Sequence, residues 1–511
     1  MGFYKVVSAA MKGIQAELIQ VEADVSNGLP MFHMVGYLSS EVKEAAERVR
    51  TAIRNAGYVL PAKKVVINLS PGNVRKRGTA FDLPISVAVL SALGLIPARR
   101  FQDVLLVGEL GLDGKVCPVE GILSMVMEAK RQGITACILP AANVREGAIV
   151  RGISVLGVES LEEICAWAKG EKELAEENNQ ADEGMRYAEA EPDIDYSDIR
   201  GQEGVKRATL VAVAGQHSLL YIGPPGSGKT MMAKRIPTIL PQLTWEESLE
   251  VTKIYSAVGM LKGEEPLMRK RPFREVHHTV TRAALVGGGR FPAPGEITLA
   301  HEGVLFLDEL AEFQRGVLEG LRQPLEERCV HLVRQQGACH FPADFMLVAA
   351  TNPCPCGKFP MEECICTPAQ IQGYLGKISQ PFLDRIDVCV EAPKVKYEAL
   401  ASKERTLTSK EMRLMVEKAR RRQKERFAGR PILTNAQMGR EELQIWCQLG
   451  TAAERLMRQA YDVLQLTARS YHKILKVART IADLEGSDEI EEGHIKEALA
   501  YRMIDKKYWG R

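Results

Sequence analysis

The chain has 511 residues, of which 46% are hydrophobic and 26% charged, the balance of a globular protein with room for three or four folding units. Its 67 basic and 65 acidic residues leave a net charge of only +2, which excludes polycation behaviour of the whole chain. No apolar run reaches the roughly 18 residues of a membrane span, and the polar N-terminus is a poor signal peptide. We therefore expect a cytoplasmic protein with no membrane partner. Its eleven cysteines are then reduced thiols or metal ligands.

The first part of the chain, residues 1–165, has the pattern of a mixed α/β domain. Residues 63–71 are rich in β-branched side chains and predict a strand. Residues 80–97 predict a buried helix, and residues 103–110 a second strand.

The composition then changes sharply. Residues 171–198 contain eleven acidic and two basic side chains and few apolar ones. Such a stretch buries too little apolar surface to fold alone. We therefore expect an acidic linker over residues 166–198; a solvated acidic helix is the alternative.

Strands and helices alternate from residue 199 onward. The short apolar runs at 217–223, 303–310 and 345–352 are bounded by Gly, Asp or Pro, as buried parallel strands are. They predict a parallel-sheet core over residues 199–395.

The remaining residues, 396–511, show a helical pattern. Apolar residues at spacings of three and four mark one helix face: Ile474, Val477, Ile481 and Leu484. Ser487 and Asp488 are placed to cap a last helix, which would carry Ile495, Leu499 and Met503.

The strongest motif is a glycine-rich loop directly after a predicted strand. It fits the pattern G-x-x-x-x-G-K-T and consists of Gly223, Pro224, Pro225, Gly226, Ser227, Gly228, Lys229 and Thr230. Glycines let backbone N–H groups turn toward a polyphosphate. Lys229 is placed to contact the β- and γ-phosphates, and the Thr230 hydroxyl to bind Mg²⁺. The loop predicts a site for ATP with Mg²⁺; an accidental glycine turn is the alternative.

A second strand, Val304 to Leu307, ends in two carboxylates. Asp308 is placed to hold Mg²⁺ through water, and Glu309 to orient and deprotonate the attacking water. Alone this strand ending is a weak signal, but together with the glycine-rich loop it predicts a hydrolytic site.

Three further side chains are candidates for the same chemistry. Asn352 ends a predicted strand and could orient water near the γ-phosphate, although it could also simply start a turn before Pro353. Arg385 is a candidate arginine finger, with a structural ion pair as the alternative. Arg469 and Arg479 lie in the helical region where a lid over the nucleotide is expected, and we predict Arg469 as the second sensor.

Four cysteines form the pattern C-x-C-x₇-C-x-C: Cys354, Cys356, Cys364 and Cys366. The short intervening loop could bring four thiolates together around a structural Zn²⁺. Four free thiols, or a redox pair, are the alternatives. His277 and His278 are adjacent, so their side chains should diverge, and we interpret both as structural.

The motifs in combination resemble a known family. The stretches GPPGSGKT, VLFLDEL, ATNPCPCG, PFLDRID and ARSYHKILKVARTIADL resemble the AAA+ ATPases of the magnesium-chelatase-like group. DVSNGLPMFHMVGY, RKRGTAFDLPISVAVLSALG and VGELGLDGKVCPVEGI narrow the resemblance to the ComM/YifB family of bacterial competence-associated proteins, along nearly the whole chain. This resemblance implies a Lon-protease-like (S5-like) N-terminal α/β domain, an AAA+ P-loop core with a parallel sheet, and a C-terminal helical lid.

The same resemblance implies what the protein does. It implies a ring-forming ATPase, expected to be a hexamer, in which Arg385 completes the site of the neighbouring subunit. It also implies a DNA helicase that drives branch migration during natural transformation or recombination. Single-stranded or branched DNA would then be bound without sequence specificity.

Several basic segments are candidates for DNA contact. Gly287, Gly288, Gly289 and Arg290 suggest a flexible loop, and Arg334 lies where related motors have a pore hairpin. One basic patch comprises Arg269, Lys270, Arg271 and Arg274. Another comprises Lys418, Arg420, Arg421, Arg422, Lys424 and Arg426. Such side chains would bind phosphate and weaken with salt, unless they are ordinary solvated faces.

The Lon-like domain lacks the residues that would make it a protease. By the resemblance, Ala80 stands where the nucleophilic Ser would be, and Leu123 where the activating Lys would be. We expect a non-proteolytic scaffold for ring assembly or DNA contact. Two other functions remain open: a chelatase-type motor that remodels a partner for Mg²⁺ insertion into porphyrin, and a DNA-structure binding module that uses ATP as an assembly switch.

Overall fold

The computed structural model describes residues 2–177, 194–261, 265–289, 292–334, 337–395, 397–401 and 405–510. Residues 178–193, about half of the predicted acidic linker, lie outside the described residues, as does Arg290. The ends of that linker do have described structure, because its first residues continue helix Leu161–Lys169 and Tyr196 is buried.

The strands are, in chain order, β1 (Gly2–Lys12), β2 (Gln15–Ser26), β3 (Met31–Val35), β4 (Lys64–Ser70), β5 (Val104–Leu106), β6 (Glu109–Leu110), β7 (Val116–Cys117), β8 (Ala136–Pro140), β9 (Ser154–Val158), β10 (Ala175–Glu176), β11 (Leu219–Ile222), β12 (Phe273–Val276), β13 (Gly287–Gly288), β14 (Ala293–Pro294), β15 (Val304–Leu307), β16 (Cys329–Arg334), β17 (Gly337–Pro342), β18 (Met346–Thr351) and β19 (Val388–Glu391).

The α-helices are α1 (Ser40–Asn55), α2 (Asp82–Ala92), α3 (Ile122–Arg131), α4 (Val144–Gly147), α5 (Leu161–Lys169), α6 (Glu203–Gly215), α7 (Lys229–Arg235), α8 (Trp245–Ala257), α9 (Arg282–Val286), α10 (Glu296–Leu299), α11 (Arg315–Glu319), α12 (Arg322–Glu327), α13 (Pro368–Leu375), α14 (Gln380–Leu383), α15 (Tyr397–Ala401), α16 (Ser409–Arg426), α17 (Arg440–Trp446), α18 (Thr451–Val463), α19 (Ala468–Glu485) and α20 (Glu492–Trp509).

The chain forms two compact units. The first comprises residues 1–187 together with 245–268, and the second comprises residues 188–244 together with 269–511. No helix in the described part of the chain is both long and apolar enough to cross a membrane.

The first unit is built on a mixed sheet. Its strand order is β10-β9-β8-β5-β1-β2-β4-β3, with parallel and antiparallel neighbours. Strands β4 and β5 fall inside the two strands predicted from sequence, and α2 inside the predicted helix. Every residue of α2 is buried, because the helix packs against β1 and β2 and has no polar face.

A segment from the middle of the chain completes the first unit. Residues 245–268 fall inside the core predicted at 199–395, but this segment packs into the first unit. The N–H of Gly121 donates a hydrogen bond to the carbonyl of Ser256, at 3.0 Å. Leu267 joins a buried apolar cluster with Leu123. Burial of this kind is invisible in a strand-and-helix pattern, because it depends on contacts distant in sequence.

The second unit contains a five-stranded, fully parallel sheet within the described residues, in the order β12-β15-β18-β11-β19. Strands β11, β15 and β18 are buried along their whole length. That pattern is typical of parallel strands covered on both faces, and it confirms the predicted α/β core. Ligands in such sheets bind beyond the carboxyl ends of the strands, where the strand order reverses, which here is around β11.

The C-terminal helices follow the predicted periodicity with one correction. Ile474, Val477 and Ile481 are buried in α19. Ser487 and Asp488 do not cap the last helix, which begins at Glu492 after Glu491. Their backbone carbonyls instead accept hydrogen bonds from the buried guanidinium of Arg479, which holds them in the preceding turn.

Candidate functional site

The glycine-rich loop joins the carboxyl end of β11 to α7. Gly226 and Gly228 have φ values of 74° and 86°, which favour glycine. A Cβ at Gly223 would lie 2.2 Å from the carbonyl oxygen of Ala392, so only glycine fits there. The loop therefore has the backbone freedom that a polyphosphate cradle requires.

Lys229 lies across the mouth of this loop. Its Nζ donates to the carbonyl of Gly223 at 2.7 Å, to the carbonyl of Pro224 at 2.9 Å and to Oδ1 of Asn352 at 3.1 Å. Burial lowers the pKa of Lys229 to about 8, while Asp308 and Glu309 act in the opposite direction. An ammonium held by neutral oxygens can exchange them for phosphate oxygens.

The next two predicted site residues also meet. Thr230 Oγ1 donates to Oδ2 of Asp308 at 2.7 Å, across the gap between α7 and the end of β15. A hydroxyl and a carboxylate are oxygen ligands of the kind that Mg²⁺ takes beside phosphate. The chemistry of this donor pair fits the ion.

Glu309 follows in a left-handed conformation, with φ of 53°, and its side chain is 56% exposed. Its backbone N–H donates to Oδ1 of Asp308 at 2.9 Å. Its Oε2 lies 3.3 Å from Nδ1 of His278. The carboxylate is thus accessible to water and held from one side.

His278 is a site residue that the sequence analysis missed. Its adjacency to His277 predicts diverging side chains and a structural role, but the two ring centroids lie only 4.1 Å apart. The structure instead places it against Glu309, since it follows β12 and β12 pairs with β15 in the sheet. Sheet order would have identified it, because carboxyl ends of neighbouring parallel strands lie together.

A cavity beside the glycine-rich loop was also not predicted from the sequence. A cavity of about 420 Å³ is lined by Val205, Val390, Tyr501 and Ile504 among others. Gln202, at the start of α6, donates from Nε2 to the carbonyl of Ser227 in the loop, at 3.3 Å. An apolar cleft next to a phosphate cradle has the character of a pocket for a planar base.

The two candidate arginines lie elsewhere. Arg385 Nη2 is 2.8 Å from Oε1 of Glu326, and Arg469 bonds the same oxygen. Both line a cavity of about 370 Å³ that also contains Ser218 and Asp387, which precede β11 and β19.

Arg385 and Arg469 therefore lie at the amino-terminal ends of the strands, which we call the amino edge of the sheet. The glycine-rich loop lies at the carboxyl-terminal ends of the strands, which we call the carboxyl edge. A four-residue strand such as β11 separates the edges by about 13 Å. Arg469 was expected in a lid over the nucleotide, and the structure does not bring it or Arg385 to the loop of the same chain. The reason is that α19 begins beside the amino ends of the strands, where Lys473 donates to the carbonyl of Ile386. Arg479 is buried and paired with Asp483, a structural role.

The four predicted cysteines come together. Sγ of Cys354 is 3.4 Å from that of Cys356 and 3.8 Å from that of Cys364, and the Cys356–Cys364 distance is 3.6 Å. All four sulfur atoms, including that of Cys366, lie within 4.8 Å of one another, and none forms a disulfide.

The predicted pore residues are neighbours. Strands β16 and β17 form a hairpin in which Val333 is 71% exposed next to Arg334. A Cβ at Gly288 would lie 3.6 Å from Nη2 of Arg334. The backbone at Gly288 and the β16–β17 hairpin thus lie side by side.

The first basic patch is largely engaged in ion pairs. Arg271 pairs with Glu302 at 3.1 Å, and Arg274 with Glu296 at 2.6 Å. These arginines carry little uncompensated charge for a polyanion.

The second patch is divided between two roles. Arg426 pairs with buried Asp483 at 2.5 Å, and Arg422 pairs with Asp488. Three other members are exposed at intervals of three along α16: Lys418, Arg421 and Lys424. Residues so spaced share one helix face, which we call the α16 basic stripe.

The two positions compared with the Lon dyad are apolar and buried. Ala80 belongs to a core cluster with Leu105 and Val107. Leu123 is fully buried, and its backbone N–H donates to Oε1 of Glu146 at 2.9 Å.

Comparison with family models covers most of the chain. Residues 195–400 match the model described as magnesium chelatase, subunit ChlI. Residues 21–143 match subunit ChlI of Mg-chelatase, and residues 406–502 match the C-terminal part of that subunit.

Relatives extend the match to nearly full length. The chain is 39% identical to competence protein ComM of Haemophilus influenzae over 500 residues, 98% of this chain and 97% of ComM. It is 41% identical to YifB of Escherichia coli K12 over 497 residues, 97% of this chain and 96% of YifB. A partial match, 25% over 175 residues, links 32% of this chain to 21% of the Lon protease of Geobacter metallireducens.

The parallel sheet, the glycine-rich loop and the matching models define a magnesium-chelatase-type AAA+ protein. Within that class the chain belongs to the ComM/YifB family.

Proposed function

We propose that this protein is an ATP hydrolase that moves DNA through a hexameric ring, as a helicase for branch migration during natural transformation or recombination. One observation supports the ATPase activity. At the carboxyl edge of the sheet Lys229 is hydrogen-bonded to Asn352 and Thr230 to Asp308, directly beside Glu309.

Each side chain has a task in hydrolysis. Lys229 exchanges its carbonyl partners for β- and γ-phosphate oxygens. Thr230 and Asp308 would hold Mg²⁺, which neutralises charge on the phosphates when bound. Glu309 takes the proton of the water that attacks the γ-phosphorus, leaving ADP and phosphate, and Asn352 orients that water. The apolar cleft beside Gln202 would take the adenine.

The positions of Arg385 and Arg469 support a ring. Both lie about one strand length from the loop of their own chain, so they can reach the phosphates of another subunit only. A head-to-tail contact repeated around a closed ring supplies such a neighbour. The shared carboxylate of Glu326 would hold both guanidinium groups until a nucleotide arrives.

The proposed DNA contacts are electrostatic. Arg334 beside exposed Val333, and the α16 basic stripe, offer phosphate contacts that carry no sequence information. The name of the ComM relative, a competence protein, agrees with a role in DNA uptake or recombination. We place this activity in the cytoplasm, where recombining DNA is found.

The first unit is proposed to be a non-proteolytic scaffold. A protease of the Lon type needs a nucleophilic hydroxyl and a basic amine, and neither Ala80 nor Leu123 supplies one. Degradation of casein in the presence of ATP by the purified chain would contradict this part of the proposal.

A second candidate function follows from the matching family models, which describe a magnesium chelatase subunit. A chelatase-type motor would use the same ATP site to remodel a partner for insertion of Mg²⁺ into porphyrin. It would need no DNA contact.

The discriminating experiment is an ATPase assay with single-stranded, forked and four-way-junction DNA at two salt concentrations, beside a strand-displacement readout. We expect DNA to stimulate hydrolysis, with a stimulation that weakens at high salt. Arg421→Ala should reduce it, whereas Lys496→Ala should not, since Lys496 lies on α20 and is paired there with Glu492. Stimulation by porphyrin but not by DNA would favour the chelatase-type motor.

A further inference from the structure

The loop that carries the four cysteines is ordered without an apolar core of its own. Residues 352–367, between β18 and α13, contain no helix or strand. Loops longer than about 12–15 residues without secondary structure are uncommon in compact domains and are usually functional. Two apolar side chains here are exposed, Met361 by 45% and Ile365 by 87%, while Phe359 packs against Tyr508 with ring centroids 6.0 Å apart. The loop thus buries little apolar surface against the entropy lost on ordering it, and another interaction is needed.

The sulfur positions point to a single metal ion. Zn–S bonds of about 2.3 Å in a tetrahedron place the sulfur atoms about 3.8 Å apart. Three of the six sulfur separations, 3.4, 3.6 and 3.8 Å, match this edge length, and Sγ of Cys366 lies within 4.8 Å of the other three. A disulfide would bring two sulfur atoms to about 2 Å. An iron–sulfur cluster would spread the four ligands around several atoms.

Backbone groups support the thiolates. The N–H of Phe359 donates to Sγ of Cys354 at 3.4 Å, and the N–H groups of Lys358 and Ile365 hydrogen-bond Cys356. Donors of this kind offset the negative charge of metal-bound thiolates and fix their orientation.

The cysteine loop also contacts the phosphate loop. A Cβ at Gly357 would lie 2.3 Å from Cδ of Pro225, so the backbone at Gly357 packs directly on that proline. Two residues before Cys354, Asn352 accepts the hydrogen bond from Lys229. The cysteine loop therefore adjoins the candidate nucleotide site at two places, Pro225 and Asn352.

We propose that Cys354, Cys356, Cys364 and Cys366 bind one Zn²⁺, and that this ion holds Asn352 in place against Lys229. The four cysteines are positioning residues, since the ion they bind acts on hydrolysis through Asn352. Its effect on hydrolysis rests on the proposed ATPase function; the metal binding does not.

The metal is tested on the wild-type chain, expressed with Zn²⁺ in the medium and purified without chelator. We expect about one Zn²⁺ per chain by mass spectrometry, released when an organomercurial titrates the thiols. Cys364→Ser should lose most of the Zn²⁺, and Cys117→Ser, in the first unit, should retain it. Less than about a tenth of an equivalent in the wild type would overturn the proposal.

Positioning is tested by a double-mutant cycle. Asn352→Ala and Cys364→Ser should each lower kcat by about tenfold or more, with a smaller change in the Kd of a non-hydrolysable ATP analogue. The double variant should be no slower than the slower single variant, because both changes remove the same contact. Multiplying effects would overturn the positioning role, as would unchanged kcat after Zn²⁺ is stripped from the wild type.

The two proposals fail separately. A chain that holds Zn²⁺ but never hydrolyses ATP would refute the ATPase and leave the metal site standing. An active ATPase without Zn²⁺ would refute the metal site alone.

Discussion

The two edges of the parallel sheet in the second unit differ in the groups that contact their positively charged side chains. At the carboxyl edge, Lys229 is held by three neutral oxygens, two of which are backbone carbonyls that phosphate can replace. At the amino edge, Arg385 and Arg469 share the single carboxylate of Glu326. One carboxylate for two guanidinium groups leaves positive charge in excess. The comparison supports the proposal that each chain carries two separate parts of a nucleotide site, which a neighbouring subunit would bring together.

The largest expected effect is at the carboxyl edge. Glu309→Gln removes the base but preserves the shape of the side chain, so hydrolysis should fall by about 10²–10⁴-fold. Binding of a fluorescent ATP analogue and ring formation should be retained. Single-turnover hydrolysis with a filter or fluorescence binding assay checks both. Normal turnover of the Gln variant would show that the base is another group.

The matching change at the amino edge should be somewhat smaller. Arg385→Ala should lower kcat by about 10²–10³-fold, because a charge that stabilises the transition state is lost. The affinity for ATP should change little, since the loop of the same chain is intact. Glu326→Gln is the control: it frees the guanidinium without removing it and should not abolish hydrolysis. A large loss of ATP affinity in Arg385→Ala would indicate a role within the same chain.

The pH dependence of binding distinguishes the edges by their chemistry. Burial lowers the pKa of Lys229 to about 8, and bound phosphate would raise it again. The affinity for ATP is then greatest below pH 8, and it falls as the pH rises through that value, by up to about tenfold per pH unit. Calorimetry in two buffers at pH 8.5 should detect proton uptake. Lys229→Arg should bind without this dependence, because Arg stays protonated.

The smallest effect is expected at His278. His278→Ala leaves the carboxylate of Glu309 in place but removes its neighbour at 3.3 Å, so kcat should fall by about tenfold or less. His33→Ala, an exposed histidine on β3 of the first unit, is the matched control and should be close to wild type, because the ring of His277 contacts that of His278. A loss as large as that of Glu309→Gln would mean that His278 itself takes part in the chemistry.

The carboxyl edge was largely predictable from the sequence. Apolar runs that end in polar residues identify parallel strands, and these strands share one edge, so Lys229, Asp308 and Asn352 are brought together by local pattern alone. The four cysteines are close in the chain, and their proximity followed from spacing.

The rest depended on the order of strands and helices in space. His278 was missed because its neighbour β15 is distant in sequence. The position of Arg469 follows from where α19 begins, and the ion pairs of Arg271 and Arg274 from acidic residues more than twenty positions away. The packing of residues 245–268 into the first unit is of the same kind.

The most direct test mixes two inactive proteins. Lys229→Ala lacks the contact to the phosphates of ATP, and Arg385→Ala lacks the proposed arginine finger. Each variant alone should therefore be inactive in ATP hydrolysis. In random mixed rings, about a quarter of the interfaces would join an intact loop to an intact Arg385. We predict that equal mixing restores ATP hydrolysis toward that fraction. A mixture as silent as its components would contradict a site shared between subunits.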